Sequence, residues 1–272
     1  ATTWTDSAGR AWTLGAGALV SDREYRFHGE VSSWPSRWDV SGSDVWVPIE
    51  AAGVTRRMGQ GKKALDSTLR RRIPSDPKLI AYWPMEDGAE ATAAYSPLTG
   101  IRPMAVSGMD FAADDSLGGS SALPKLRRDG ASFRATVPRS TTPGWQVEGV
   151  YYLPELPATQ TEILRVSVTG STMATAVVYA STAGVRIEAR DGDGTILNFF
   201  LYDSATALAD FYGKWNRLAV YTAASGGTTY LYVSWRDIAA NNRWIARTVF
   251  TGTQGSVVGV SGTYGAATAD MV

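Results

Sequence analysis

Downstream of Lys78 the chain is written in short blocks in which apolar and polar residues alternate, separated by spacers rich in Gly, Asp, Ser and Pro. LIAYW, ASFRATV, WQVEGVYYL, TEILRVSV, MATAVVYA, GVRIEAR, ILNFFLY, WNRLAVYT, TTYLYVSW and WIARTVF are such blocks. A period of two sends successive side chains to opposite faces, the pattern of a strand with one face in a core and one in water. Roughly ten to twelve such strands, without helical periods among them, predict an all-β two-sheet sandwich or jelly roll. The blocks do not recur at a fixed spacing, which argues against a solenoid or propeller.

The first 77 residues follow a different pattern. ATTWTDSAGRAWTL places a polar turn between Trp4 and Trp12 and predicts a hairpin. YRFHGEV alternates Tyr25, Phe27 and Gly29 with Arg26, His28 and Glu30, and DVWVPIE sets Val45, Val47 and Ile49 on one side. Pro48 cannot donate to a ladder, so that strand is an edge or ends there. From Ala51 the spacing becomes helical: Val54 and Met58 are four apart, Gly59-Gln60-Gly61 interrupts, and Leu65, Leu69 and Ile73 resume. Two short helices with a glycine hinge are predicted, stopped by Pro74 and Pro77. The domain boundary is therefore expected between 77 and 78.

Composition narrows the chemistry. Twenty-six basic and 26 acidic residues cancel, so no global charge steers the chain to nucleic acid or an anionic membrane. There is no cysteine, hence no disulfide and no thiolate metal site. No apolar run approaches the ~20 residues that span a bilayer. The single histidine, His28, rules out a two-histidine metal site within the chain. Arg56, Arg57, Lys62, Lys63, Arg70, Arg71 and Arg72 form a basic cluster, but consecutive arginines on a helix fan out around it, which suits a solvated or subunit-facing connector. GQGKK lacks the earlier glycine and the Ser/Thr of a phosphate loop.

Three later stretches carry a resemblance. LIAYWPMEDGAEATAAYSPLTG resembles the opening strand of laminin-G-like and concanavalin-A-like lectin domains. ADFYGKWNRLAVYTAASGGTTYLYVSW resembles that family's core hairpin, and GWQVEGVYYL stands where the family places its first long central strand. The likeness covers about residues 78–272 and implies a lectin-like jelly roll there, with Trp83 and Trp215 in its framework. Ahead of it, YRFHGEVSSWPSRWDVSGSDVWVPIEAAGVTRRMGQG followed by KKALDSTLRRRI is similar to minor tail proteins of actinobacterial phages and prophages, in which tail-hub-like β elements and a helical connector precede such a jelly roll. That resemblance implies a virion tail location, other tail proteins as partners, a homo-oligomeric assembly, and recognition of a host cell-wall glycan or a role in tail assembly without an enzymatic step. The family's final strand pairs back with the opening one; with the chain ending at TADMV, that strand is short or the sequence is a fragment. A secreted or surface carbohydrate-binding adhesin and a glycoside hydrolase of the same fold remain as alternatives.

The acids test the hydrolase alternative. A retaining glucanase needs two carboxylates about 5 Å apart, and the resemblance implies that enzymes of this fold deliver them as Glu-x-Asp-x-x-Glu along one strand. EDGAE, residues 86–90, has a different spacing, with Gly at 88. Glu86 and Asp87 are left as acceptors for backbone amides of a turn or as ligands of a calcium ion, a cofactor the fold does not require. In RDGDGTILN, Asp191 and Asp193 offer a second calcium candidate, but an EF-hand loop is excluded because Ile196 and Tyr202 occupy its sixth and twelfth positions; Asp-Gly-Asp-Gly is also a strong hairpin-turn signal. For ligand contact the aromatic candidates are Tyr212, Trp235, Trp244 and Tyr264, which lie near turns and could stack on a sugar ring, with core or rim packing as the alternative use.

Overall fold

The computed structural model describes residues 65–140, 142–265 and 267–272, together with residue 9 and the backbone of six short strands within residues 1–53. The chain divides into two compact units, Ala1–Leu65 and Asp66–Val272. His28, Val54, Arg56, Arg57, Met58, Lys62 and Lys63 lie outside the described residues.

In the first unit, β1 (Thr2–Thr5) and β2 (Ala11–Leu14) form the expected hairpin, with Trp4 directly opposite Trp12. β3 (Gly29–Ser33) pairs with β6 (Glu50–Gly53), and β4 (Arg37–Trp38) with β5 (Val45–Trp46). Residues 51–53, expected to open a helix, are instead strand: backbone pairing of Gly53 with Gly29 overrides a helical spacing that rested on few apolar residues.

The second unit opens on helix α1 (Thr68–Arg72), whose N-terminus is capped by the Ser67 hydroxyl accepting from Arg70 N at 3.1 Å. Leu69 N donates to Gly119 O at 3.0 Å, and the Ser67 hydroxyl donates to Glu86 at 2.6 Å. These bonds fasten the helix to the β unit, and the second compact unit runs from Asp66. Arg71 and Arg72 are exposed.

Fourteen strands follow. β7 (Ala93–Ala94), β8 (Met104–Ser107), β11 (Ala131–Thr136), β13 (Thr161–Thr169), β14 (Thr175–Ser181), β15 (Gly184–Arg190), β16 (Ile196–Tyr202) and β20 (Ser256–Tyr264) make one sheet in the order β16-β15-β14-β13-β20-β11-β8-β7. β12 (Gln146–Tyr152), β17 (Trp215–Ser225), β18 (Thr228–Asp237) and β19 (Arg243–Thr251) make the other, in that order. β9 (Met109–Asp114) and β10 (Leu123–Leu126) form a separate pair. All these pairings are antiparallel, and β15 and β16 lie against β18 and β19. The second unit is thus an all-β two-sheet sandwich of the lectin-like, jelly-roll kind. Met271 bridges to Leu126, and Val272 exchanges both backbone bonds with Tyr152, so the last residues are tied into the unit. Among the described residues no helix is long and apolar enough to cross a membrane.

The core forms where the inward rows of the sheets meet. Val166, Val178 and Ile187 face Leu218, Val220, Leu231, Val233 and Trp235, all buried. Fully burying such a side chain contributes about 1.5–3 kcal/mol. Trp235 anchors the end of this core: it is fully buried, packs edge-on against Phe211 (5.4 Å) and Tyr202 (5.3 Å), and donates its indole N–H to Ala207 O at 3.1 Å in helix α2 (Ala205–Ala209).

Two further sequence expectations, both in the second unit, differ from the structure. LIAYW carries no ladder: its aromatic residues dock through side chains, Trp83 Nε1 donating to Arg102 O at 3.0 Å, and Pro84 beyond it has no N–H to give. Conversely, SVVGVSGTY, absent from the strand expectations, is β20 at the centre of the large sheet. Its glycines hide it. A Cβ on Gly262 would lie 2.5 Å from Ile163 O and 2.5 Å from the Phe133 ring, so only glycine lets β11 and β13 approach here.

Candidate functional site

The outward face of the four-stranded sheet is assembled by register. In TTYLYVSW, Leu231, Val233 and Trp235 point inward, so Tyr230, Tyr232 and Ser234 point out. Across the sheet, the row Gln146–Tyr221–Tyr232–Arg247 stands beside the row Glu148–Ala219–Ser234–Ile245, which stands beside Val150–Arg217–Arg236–Arg243. The outer rows carry long side chains and the middle row has small residues at its centre.

Ala219 and Ser234 are only 7% and 5% exposed although they face away from the core. The long neighbours overhang them, leaving a trough with a floor of Ala219 and Ser234. Rows two residues apart along a strand are separated by about 6.7 Å, so the tyrosine and arginine walls stand roughly 13 Å apart at their bases.

One wall is aromatic. Tyr221 and Tyr232 stack with centroids 4.8 Å apart and planes 4° from parallel, a separation that matches neighbouring strands and stands the rings upright from the sheet. Tyr230 continues the ridge at 6.2 Å from Tyr232, and the Arg247 guanidinium lies 5.3 Å from the Tyr230 centroid. The ridge offers ring faces, edges and phenolic hydroxyls. The other wall supplies Arg217 and Arg236, both exposed. At one end Glu148 takes a two-pronged bond from Arg217, Nε at 2.8 Å and Nη2, and accepts from Gln146 as well. Such an exposed pair contributes at most about 1 kcal/mol to stability. Its chemical value lies in orienting donors and acceptors along the trough.

The residues singled out from sequence are placed elsewhere. Trp235 and Tyr264 are buried and have no face to offer a ligand; the Tyr264 hydroxyl donates to Ala269 O at 2.6 Å, and burial, with Glu155 and Asp270 nearby, pushes its phenol up to about 12. Trp244 lies opposite Trp235 on the inner face, half-buried against Tyr202, and Tyr212 is half-buried beside Phe211. Trp244 bonds to Asp210, which accepts from Trp244 Nε1 at 2.9 Å, Lys214 Nζ at 2.9 Å and Asn242 Nδ2 at 3.3 Å. The Trp244 bond first, then Lys214, holds the Asp210 carboxyl below the usual range, against the opposing effect of burial. Trp83 and Trp215 are half-buried and bonded by their indole N–H groups to Arg102 O and the Ser116 hydroxyl.

The acids also have local partners. Glu86 Oε1 accepts from the hydroxyls of Ser67 (2.6 Å) and Ser120 (2.8 Å). Asp87 accepts from Tyr95 N at 3.2 Å and 3.3 Å, and burial raises its carboxyl pKa. Asp191 closes the β15–β16 hairpin, accepting from Asp193 N (3.0 Å) and Thr195 N (2.8 Å). Among the described residues no three His, Asp or Glu side chains gather as a metal site.

No family model and no curated protein matches this chain. Among solved structures it is similar to the binding domain of botulinum neurotoxin serotype D (10% identity, covering 66% of this chain and 46% of that one, TM-score 0.37). It is also similar to arcelin-5, a lectin-like defense protein from Phaseolus vulgaris (13% identity, 64% and 90%, TM-score 0.37). A third similar structure is the CBM2 module of the evolved Dit of Lactobacillus casei BL23 phage J-1 (10% identity, 61% and 78%, TM-score 0.33). The chain spans less than half of the neurotoxin binding domain it matches.

Proposed function

We propose that this chain is a carbohydrate-binding module that acts without covalent chemistry, engaging a cell-surface glycan in the trough of the four-stranded sheet. The carrying observation is the floor of outward yet buried small residues, Ala219 and Ser234, walled by the stacked Tyr221–Tyr232 pair. A pyranose has apolar C–H faces and a rim of hydroxyls. Tyrosine rings meet the first, and Arg217, Arg236, Glu148 and Gln146 can bond to the second. Affinity per site then rests on stacking and a few hydrogen bonds.

The setting proposed is the tail of a phage or phage-like particle, with other tail proteins as partners, host cell-wall glycan as ligand and the virion tail as location. What supports it is the likeness of the segment ahead of Lys78 to tail proteins, combined with the lectin-like opening that follows it. Repetition of a weak site in a symmetric tail would raise overall binding through avidity. The binding reading is supported by Glu86 and Asp87 being committed to serine hydroxyls and a backbone amide, with Glu148 paired to Arg217.

The test is titration of the intact chain with purified cell-wall polysaccharides of actinobacteria, followed by calorimetry. Binding is expected for at least one polysaccharide, weakened about tenfold or more in Tyr221→Ala and Tyr232→Ala, as for aromatic anchors generally. Undiminished binding by both variants, or release of reducing ends from the polysaccharide, would overturn the reading.

A further inference from the structure

We infer that the chain self-associates as a twofold dimer through β16 at the edge of the eight-stranded sheet. β16 is hydrogen-bonded to β15 and is the last strand of its sheet. Its sequence, ILNFFLY, contains no charge and no proline. Ile196, Leu197, Phe199, Phe200 and Leu201 are each 40–50% exposed, so five of the twelve exposed large apolar residues of the described chain sit on one strand of seven residues. Exposed edges are ordinarily blunted by Lys, Pro or an inward charge. Among the described residues such devices are limited here to a register shift near Leu197, which leaves the run from Asn198 to Tyr202 regular, and to the Arg186 guanidinium lying 4.2 Å from the Phe199 ring.

The neighbouring edge adds to the patch. β16 runs beside β19, the edge of the smaller sheet: Asn198 Nδ2 donates to Val249 O at 2.9 Å, and Tyr202 contacts Trp244. Ile245 and Val249, facing out on β19, are 44% and 37% exposed. Taking about 200 Å² for a large apolar side chain, the two strands expose on the order of 500 Å². A standard interface buries about 800 Å² per partner, so this patch supplies the apolar centre of one, with polar neighbours left to form its rim.

Charge identifies the occupant as a second copy. β16 brings no charge of its own to its image, and the guanidinium that lies over it, Arg186 at 4.2 Å from the Phe199 ring, is paired with Glu188 at 2.7 Å; an isologous interface requires that kind of self-complementarity. The pairing of Asn198 with Val249 and of Tyr202 with Trp244 means that β16 and β19 run in opposite directions, so the acidic β15–β16 turn, with Asp191 and Asp193, lies at one end of the seam and Arg243 at the other. A twofold axis near Phe199 turns one copy end for end. The acidic turn of each copy then comes to the end where the other carries Arg243.

The experiment is sedimentation equilibrium of the 272-residue chain between about 1 and 100 µM. A monomer–dimer equilibrium is expected. Leu197→Glu with Leu201→Glu, whose new carboxylates lie near Arg190 and Arg186 of the same protomer, should raise the dimer Kd at least thirtyfold while circular dichroism and Tm stay as in the parent. As an independent check, Arg243→Glu should weaken the dimer and Asp193→Arg in that background should restore it. A parent that stays monomeric at 100 µM, assembles as a trimer, or dimerises equally well in the folded double variant overturns the inference, as does failure of the charge exchange.

Discussion

Asp210 joins three elements through its side chain, so its removal gives a measurable consequence. It follows α2, Lys214 lies just before β17, and Asn242 and Trp244 flank the start of β19. Asp210→Ala removes the acceptor for a half-buried indole N–H, at a cost of about 1–2 kcal/mol for the unpaired donor. It also breaks the Lys214 contact. Because that lysine is 34% exposed and keeps Asp237 at 3.4 Å, this loss is discounted to at most about 1 kcal/mol. The expected total is about 2–3 kcal/mol, or a fall in Tm of roughly 4–12 °C for a unit of this size. Asp210→Asn keeps an oxygen for Trp244 and should lose only about 1 kcal/mol. The pH dependence follows from the depressed carboxyl pKa: the native form holds its proton less tightly than the unfolded form, whose pKa is about 3.9. The stabilisation is therefore complete above that value and disappears as pH falls through the lower native pKa. Scanning calorimetry of parent and Asp210→Asn from about pH 7 to pH 2.5 should show a constant gap that narrows below about pH 4. Equal Tm values for parent and Asp210→Ala, an Asn variant as unstable as the Ala variant, or a gap that widens in acid would refute the reasoning.

Other expectations concern single groups. Glu188 is 1% exposed beneath Arg186 (2.7 Å) and Arg190 (2.6 Å), so Glu188→Ala, which strands two guanidinium groups over the sheet, should cost about 3–5 kcal/mol in urea unfolding; a loss below 1 kcal/mol would contradict that account. Gly184 holds φ +144°, and a Cβ added there would stand 2.6 Å from Tyr202 O, so Gly184→Ala should lower Tm, whereas Gly192→Ala, where nothing lies within 4 Å of the added carbon, should leave it almost unchanged. Trp235→Ala opens the core and strips the bond to Ala207, with an expected cost of about 3–5 kcal/mol by denaturant titration. Ser234→Leu raises the trough floor and should abolish polysaccharide binding while the circular dichroism spectrum is retained.

Much of the sandwich was legible because its strands alternate strictly. TTYLYVSW and WIARTVF each separate an inward from an outward row, and these became β18 and β19. Where backbone pairing or close approach decided the outcome, alternation was silent. β20 is read poorly because Gly259 and Gly262 interrupt its apolar row, yet those glycines are what let it pass between β11 and β13. Ala51 to Gly53 show the opposite error: small residues carry little preference, and a ladder to β3 took them from helix to strand. Leu69 was rightly assigned to a helix, but its amide bond to Gly119, with the Ser67–Glu86 bond, is what reveals which unit that helix joins.

The site was less legible for a related reason. Proximity to turns drew attention to Trp235, Trp244, Tyr212 and Tyr264, but the position of a turn along the chain does not say which face a ring takes. Phase does: Tyr230 and Tyr232 alternate with Leu231 and Val233, so if the aliphatic pair is inward the tyrosines must be outward, a deduction available from TTYLYVSW alone. What no single strand could show is the row direction. Tyr221 meets Tyr232, and Ala219 meets Ser234, only when β17 and β18 pair through the turn at Gly226 and Gly227, both with positive φ. A shift of that register by one residue would set Tyr232 opposite Thr222 or Val220, split the ring stack and put an inward residue against an outward one. The two-glycine turn therefore fixes the trough as well as the hairpin, and the proposed glycan contact depends on the same few residues that set the strand register.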